Sequence, residues 1–268
     1  MDLVNVGYGF GPAGDYSEYD RYHVAIKVPL ILNEEKKDIV LLNAAINQST
    51  VIGESSIPQY DLGGVVFNPA YFHEFEKGNS LTIMPILRWF GEEIGFQSND
   101  FQFGGLGIWS IPLSDNYTHK FGVYANDEFF GLFVTPFYGV DWKINEKTRF
   151  SGNLPVTFTL AHQWKERVSV GIDYNGLVSS FRTSQTYIER RVLNMGPYLD
   201  FEVLKNVIFR GHAGYLIGSS FDEYAVGDQI DWSFNIIRFG DDREKISSVD
   251  VSGLFVTFSL MYRVKTDD

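Results

Sequence analysis

The chain has 268 residues and a formal charge of −12, from 22 Lys and Arg against 34 Asp and Glu, which argues against general attraction to nucleic acid. It has no cysteine, so neither a disulfide framework nor a thiolate metal site is available. Hydrophobic residues make up 44% and mean hydropathy is −0.10, with no apolar run near the ~18 residues of a spanning helix, so a helical membrane protein is excluded.

The length suits one large β domain, and repetition from end to end favours a single domain, 1–268. Met1-Asp2-Leu3 opens without a charged n-region or apolar h-region, so an exported form is expected to have lost its leader already.

From Arg21 to Leu32, Tyr22, Val24, Ile26, Val28 and Leu30 alternate with Arg21, His23, Ala25 and Lys27. A period of two means a strand, because successive side chains point to opposite faces. The polar turn Asn33 to Lys37 returns the chain along Ile39 to Gln48, and the tract Gln48 to Gln59 makes a longer loop. Asp61 to Phe75 and Leu81 to Trp89 pair across Glu76 to Asn79, and Phe101 to Leu113 follows a loop at Gly91 to Asp100.

Phe130 to Ile144 sets Leu132, Val134, Pro136, Tyr138, Val140 and Trp142 against Thr135, Gly139, Asp141 and Lys143. Val168 to Ser180, Tyr187 to Val203 and Val207 to Gly218 repeat the pattern. Val249 to Val264 shows it best, with Leu254, Val256, Phe258, Leu260 and Tyr262 opposite Gly253, Thr257, Ser259 and Arg263.

Strands of this length exceed the ~5–6 residues of soluble sheets and match the ~9–11 needed to cross a bilayer at a tilt. A soluble lipocalin-like barrel would invert the faces. The polar faces here are rich in Gly, Ser, Asn and Thr, and Tyr and Trp gather near strand ends, as at Trp89, Tyr138, Trp142, Trp164, Tyr215 and Tyr262. Both features favour an outer-membrane barrel with interfacial aromatic girdles.

Short turns at 33–37, 76–79 and 204–206 alternate with long ones at 48–59, 181–186 and 222–248, which places the short turns on the periplasmic side. The phase breaks at Leu154-Pro155, where a short rise over Thr148 to Asn153 reverses. The expected fold is a closed antiparallel up-and-down transmembrane β-barrel of 12 strands, with 14 as the alternative.

The run Phe130-Gly131-Leu132, Pro136, Gly139 to Asn145 and Leu154-Pro155 resembles small outer-membrane β-barrel proteins of Bacteroidota, a family whose biochemical role is unassigned. The resemblance implies an outer-membrane address and no particular activity. After Tyr262 the chain continues Arg263 to Asp268, which departs from the terminal aromatic residue often read by the insertion machinery.

Nothing in the sequence marks a catalytic, cofactor or metal site. The five histidines are His23, His73, His119, His162 and His212, and no Gly-x-Ser-x-Gly motif occurs. Charges of both signs on the polar faces predict a paired lumen network of Arg21, Lys27, Arg88, Asp141, Arg149, Asp173, Asp200, Glu202, Arg210 and His212. Phe72, Phe133, Phe137 and Phe255 also point inward, so the lumen is expected to be partly plugged.

The segment 222–250 carries Trp232, Phe234, Ile236, Phe239, Asp241 and Asp242, expected as an external β-extension that serves as a lid or partner surface. Its acidic residues lack calcium-loop spacing, though loose bridging to lipopolysaccharide is open to them.

The first functional expectation is a structural or accessory barrel, or a subunit of an envelope assembly. The alternatives are a narrow channel for small solutes and a lipid-modifying barrel enzyme using His23 or His212. The expected partners are outer-membrane lipid, lipopolysaccharide and an envelope protein met through 222–250, with no nucleic acid.

Overall fold

The structure is a computed structural model that describes residues 1–13, 17–33, 38–52, 59–75, 78–234 and 237–264. The turn residues 34–37, 53–58 and 76–77 and the loop residue Ile236 lie outside the described residues.

The strands are β1 (Asp2–Ala13), β2 (Ser17–Asn33), β3 (Asp38–Ile52), β4 (Tyr60–Glu74), β5 (Ser80–Gly91), β6 (Phe101–Ser114), β7 (Tyr117–Glu128) and β8 (Gly131–Asn145). Next come β9 (Thr148–Leu154), β10 (Thr157–Lys165), β11 (Val168–Arg182), β12 (Thr186–Leu204) and β13 (Val207–Leu216). Four short strands follow, β14 (Ser220–Ala225), β15 (Trp232–Phe234), β16 (Ile237–Phe239) and β17 (Lys245–Asp250), before the long β18 (Gly253–Arg263).

Among the described residues, β1 to β13 and β18 make a closed antiparallel ring of 14 strands. It closes where Leu260 of β18 pairs with Phe209 of β13 on one side and Val6 of β1 on the other. The count is therefore 14, not 12. β1 and β7, which lie outside the strands expected from the sequence, are wall strands. The inward face of β1 is Gly7, Gly9 and Gly11, because the Phe255 ring lies against it: a Cβ at Gly9 would sit 2.6 Å from that ring.

The alternation of β18 is realised in space. Leu254, Phe258, Leu260 and Tyr262 are exposed on the outer wall, while Phe255, Ser259 and Met261 are buried inside. Val6, Tyr8, Ile26, Ile83, Phe103, Phe121 and Trp142 continue the exposed apolar surface around the ring. A soluble monomer rarely exposes so large a contiguous patch, whereas a membrane barrel requires it. The five tryptophans mark its two rims, with Trp109, Trp142 and Trp164 near the short turns and Trp89 and Trp232 near the long ones.

The phase break at Leu154-Pro155 has a large consequence. The β9–β10 hairpin has strands of only 7 and 9 residues, whereas β11 and β12 have 15 and 19. β8 pairs with β9 only from Tyr138 downward, and β11 pairs with β10 only up to Asn175. A notch is left in the outer half of the wall.

The upper parts of β11 and β12 do not line that notch but cross the interior. Arg182 of β11 forms a parallel bridge with Gly91 of β5, six places round the ring of 14, and Phe181 stacks on Phe90 at 4.7 Å. β14 then pairs with β12, and β17 with β14, so β11–β12–β14–β17 form a cap sheet across the outer mouth.

The notch itself is filled by β15, which pairs in parallel with β8 through Trp232↔Leu132, Ser233↔Phe133 and Phe234↔Val134, and by its partner β16. Trp232, Phe234, Ile237 and Phe239 face outward with Leu132, while Ser233 is buried. The expected extension is corrected in part: β14 and β17 do cover the mouth, but the apolar side chains Trp232, Phe234 and Phe239 belong to the outer wall. They point outward because their register with β8 continues the pleat of that strand.

The outer belt predicts the cost of charge. Phe258→Arg, near mid-strand and 44% exposed, is expected to destabilise the barrel by about 2–4 kcal/mol, read from urea unfolding in lipid vesicles. An unchanged unfolding midpoint would contradict the lipid-facing assignment.

Candidate functional site

The lumen is layered. At the outer mouth, side chains from the wall and the cap sheet meet in one apolar core. Tyr19, Val51, Leu62 and Phe90 from β2 to β5 pack with Phe181, Ile188, Phe221, Val249 and Phe255, all buried. A second buried cluster, Phe130, Phe133, Tyr187, Tyr224 and Ile230, covers the β8 side, and together the two close the outer mouth among the described residues. Phe133 and Phe137 are also buried on the inward face of β8.

Beside it lies a buried polar knot. The Glu128 carboxylate, 2% exposed, accepts from Arg88 Nη2 at 2.5 Å, from the Ser180 amide at 3.0 Å and from Ser180 Oγ at 2.8 Å. Gln102 Nε2 donates to Ser180 Oγ at 3.0 Å, and Arg88 Nη1 donates to Tyr124 Oη at 3.3 Å. Three wall strands are thereby tied to the infolded β11. A buried charge survives only when paired and hydrogen-bonded, and this carboxylate is both.

A second knot fastens the cap to the wall patch. Glu189 of β12, 1% exposed, accepts from both Nη atoms of Arg238 and from Arg243 Nη1 at 3.2 Å. Arg243 also donates to Tyr187 Oη at 3.0 Å and to Asp241 Oδ1 at 2.8 Å, and its guanidinium lies 4.1 Å from the centre of the Tyr224 ring. The hydrogen bonds from Arg243 hold the Asp241 carboxyl below the ordinary carboxylate range. Asp242 is exposed.

Beneath the cap is a chamber of about 310 Å³, with Tyr174, Phe255 and Met261 forming the apolar part of its wall. Arg21, His23, Asp173, Asn175, Asn194, Arg210 and His212 line it, with Thr157, Thr159, Thr257 and Ser259 between them. His23 Nε2 lies 3.2 Å from Asn5 Oδ1. His212 Nε2 is 3.0 Å from Asp173 Oδ1, an ion-pair distance off the hydrogen-bond axis.

Below the chamber, Arg210 grips Asp200 with Nε at 2.6 Å and Nη2 at 2.9 Å, and Arg263 joins Asp200 at 3.2 Å to Asp2 at 2.5 Å. That chain of charges runs across β12, β13, β18 and β1, the seam where the ring closes.

The ten charged residues expected in one lumen network fall into separate groups. Arg88 sits in the Glu128 knot, and Asp173, Asp200, Arg210 and His212 form the seam network. Asp141 meets Lys120 and Arg149 on the opposite wall, and Glu202 accepts from the Asn206 amide of the short β12–β13 turn at 3.0 Å. Lys27 is exposed. A single constriction with Arg21, Arg88, Arg149 and Arg210 facing Asp141, Asp173 and Glu202 does not form, because the strands stagger these residues along the barrel axis.

Glu128, Glu189, Arg238 and Arg243 do not stand out in the sequence. Glu128 reads as a turn charge beside Asp127, and its depth depends on Ser180 arriving from across the barrel. Arg238 alone left a local sign: between the outward Ile237 and Phe239 it must point inward.

The closed ring, the apolar outer belt with aromatic rims and the polar interior decide the class. The chain is a bacterial outer-membrane β-barrel.

No protein family profile and no curated protein matches the chain. Among solved structures it is similar to a NanC porin, with 9% identity, 97% of this chain and 100% of that one covered, and a TM-score of 0.42. Two mutants of the Rh. blastica porin cover the same shares at 10% and 9% identity, each with a TM-score of 0.20.

Two expectations follow for the cap. Glu189→Ala removes the more buried of the two carboxylates that hold Arg238 and Arg243, leaving them Asp241 alone among the described residues, and is expected to cost up to about 3–5 kcal/mol, read as faster proteolysis within 222–250 at an intact barrel. Because the Asp241 carboxyl is depressed when folded, its contribution is present above the unfolded value of about 3.9 and is lost as pH falls through the lower folded value. Cap protection against an acid-active protease should therefore weaken with acid below about pH 4, and Asp241→Asn should flatten that dependence.

Proposed function

We propose that the barrel is a channel for small polar solutes, held shut at its outer mouth by the cap sheet in the conformation described. The observation that carries this reading is the chamber: about 310 Å³ bounded by amides, hydroxyls, imidazoles and charges together with Tyr174, Phe255 and Met261, where a purely structural barrel would be expected to pack side chains against one another. The cap supports it too. It is built from segments of β11, β12, β14 and β17 beyond the complete lower ring, so once its ties to Arg238 and Arg243 are broken it can move without opening that ring.

The accessory-barrel reading rests on a different observation, the apolar core that crosses the mouth, which fits a permanent plug. The lipid-modifying reading is weaker. His212 faces Asp173 inside the lumen and His23 faces Asn5, and neither lies on the outer wall. The likeness of residues 130–155 to small Bacteroidota barrels, and contact of the acidic segment 222–250 with lipopolysaccharide or an envelope partner, belong to this proposal as well.

Single-channel recording in planar bilayers tests the channel reading. The wild-type barrel is expected to give brief, rare openings, and Arg238→Ala, which loosens the cap from the wall patch, should raise the open fraction by about tenfold or more. Silence from both proteins would leave the accessory barrel as the better account.

A further inference from the structure

Two arginines of the lumen differ from all the others described above. Arg88, Arg210, Arg238, Arg243 and Arg263 each hold a carboxylate. Arg21 and Arg190 hold none among the described residues. Arg190, 2% exposed, donates to Ser49 Oγ at 3.0 Å and Ser179 Oγ at 3.2 Å and packs over the Phe181 ring at 4.8 Å. Hydroxyls and a ring face do not neutralise a guanidinium.

The two groups converge. Ser49, which accepts from Arg190, is the direct cross-strand neighbour of Arg21 in the β2–β3 ladder, and facing residues of such a pair lie about 4.5–5.5 Å apart at Cβ. Arg21 lines the chamber, and its Nε is buried without a hydrogen-bond partner. Two like charges stand at the roof of the chamber, one with an unused donor, and neither is in an ion pair among the described residues; the carboxylate that acts on Arg190, Glu128, is already bound to Arg88 and Ser180.

We propose that the roof of the chamber is a binding site for a small organic carboxylate, anchored on Arg21 and favoured by the field of Arg190 behind it. Arg21 brings a planar fork that matches a carboxylate edge, and Asn175 and Asn194 place amides around the same space. A monoanion fits better than a dianion. Asp173, the carboxylate of the chamber lining, disfavours a second negative charge in the same space.

The proposal rests on the chamber being the solute space of the channel reading, and binding can be measured without current. Titration calorimetry of the full barrel in detergent at low salt, with sodium acetate as probe, is expected to show one saturable site. Arg21→Gln should weaken it by at least about tenfold, and Arg21→Lys should weaken it less, keeping charge but losing the fork. Lys27→Gln, at an exposed lysine away from the roof, should leave it unchanged.

No saturable acetate binding to the wild-type barrel, or equal binding by Arg21→Gln, would overturn the site. Chloride or inorganic phosphate binding as tightly as acetate would overturn its assignment to carboxylates. A barrel that binds acetate but never conducts keeps the site and loses the channel, and one that conducts without binding does the reverse.

Discussion

Backbone amides and carbonyls at membrane depth must find partners within the protein, and the β9–β10 hairpin is too short to supply them to the strands on either side. Everything unusual in this barrel follows from that shortage. The exposed edge of β8 is met by β15 through three residue pairs, and Pro136, at the junction between the β15-paired and β9-paired stretches, brings no N–H that would need a partner. The upper part of β11, freed from the wall, satisfies its backbone against β12 and turns into the lumen.

Once inside, the hairpin needs a core and a counter-charge, and the polar knots supply the second. Glu128 reaches Ser180 from the β7 side, while Glu189, carried inward on β12, draws Arg238 and Arg243 in from the segment that fills the notch. Cap and wall patch are therefore one unit joined by charges with little access to water. Truncating one partner of such a pair is far more costly than the net value of the pair itself, because the other charge stays buried. The lower lumen is organised differently, with half-exposed pairs along the seam and open polar space above them.

Much of the wall was legible because a period-two pattern reports directly on which side of a strand meets lipid. The outward set Leu254, Phe258, Leu260 and Tyr262 and the inward Phe255 were readable from spacing alone. The phase break at Leu154-Pro155 was also visible, but what it causes was not. A notch is defined by strands distant in sequence, and its filling by β15 involves residues about a hundred positions from β8. The charged residues were readable as inward but not as groups, since pairing depends on axial stagger. That Arg21 has no ion pair among the described residues depends on which strands surround it, and no local pattern encodes that.

The central claim is that the upper β11–β12 hairpin lies inside the barrel and closes its mouth. The chain has no native cysteine, so a Phe90→Cys, Phe181→Cys pair can be probed cleanly with a short bismaleimide in outer-membrane vesicles. The account predicts efficient cross-linking between these positions, which stack across the lumen although their strands stand six places apart in the ring. Absence of the cross-link, with both cysteines reacting freely with a monofunctional maleimide, would place the hairpin back in the wall and contradict the capped barrel.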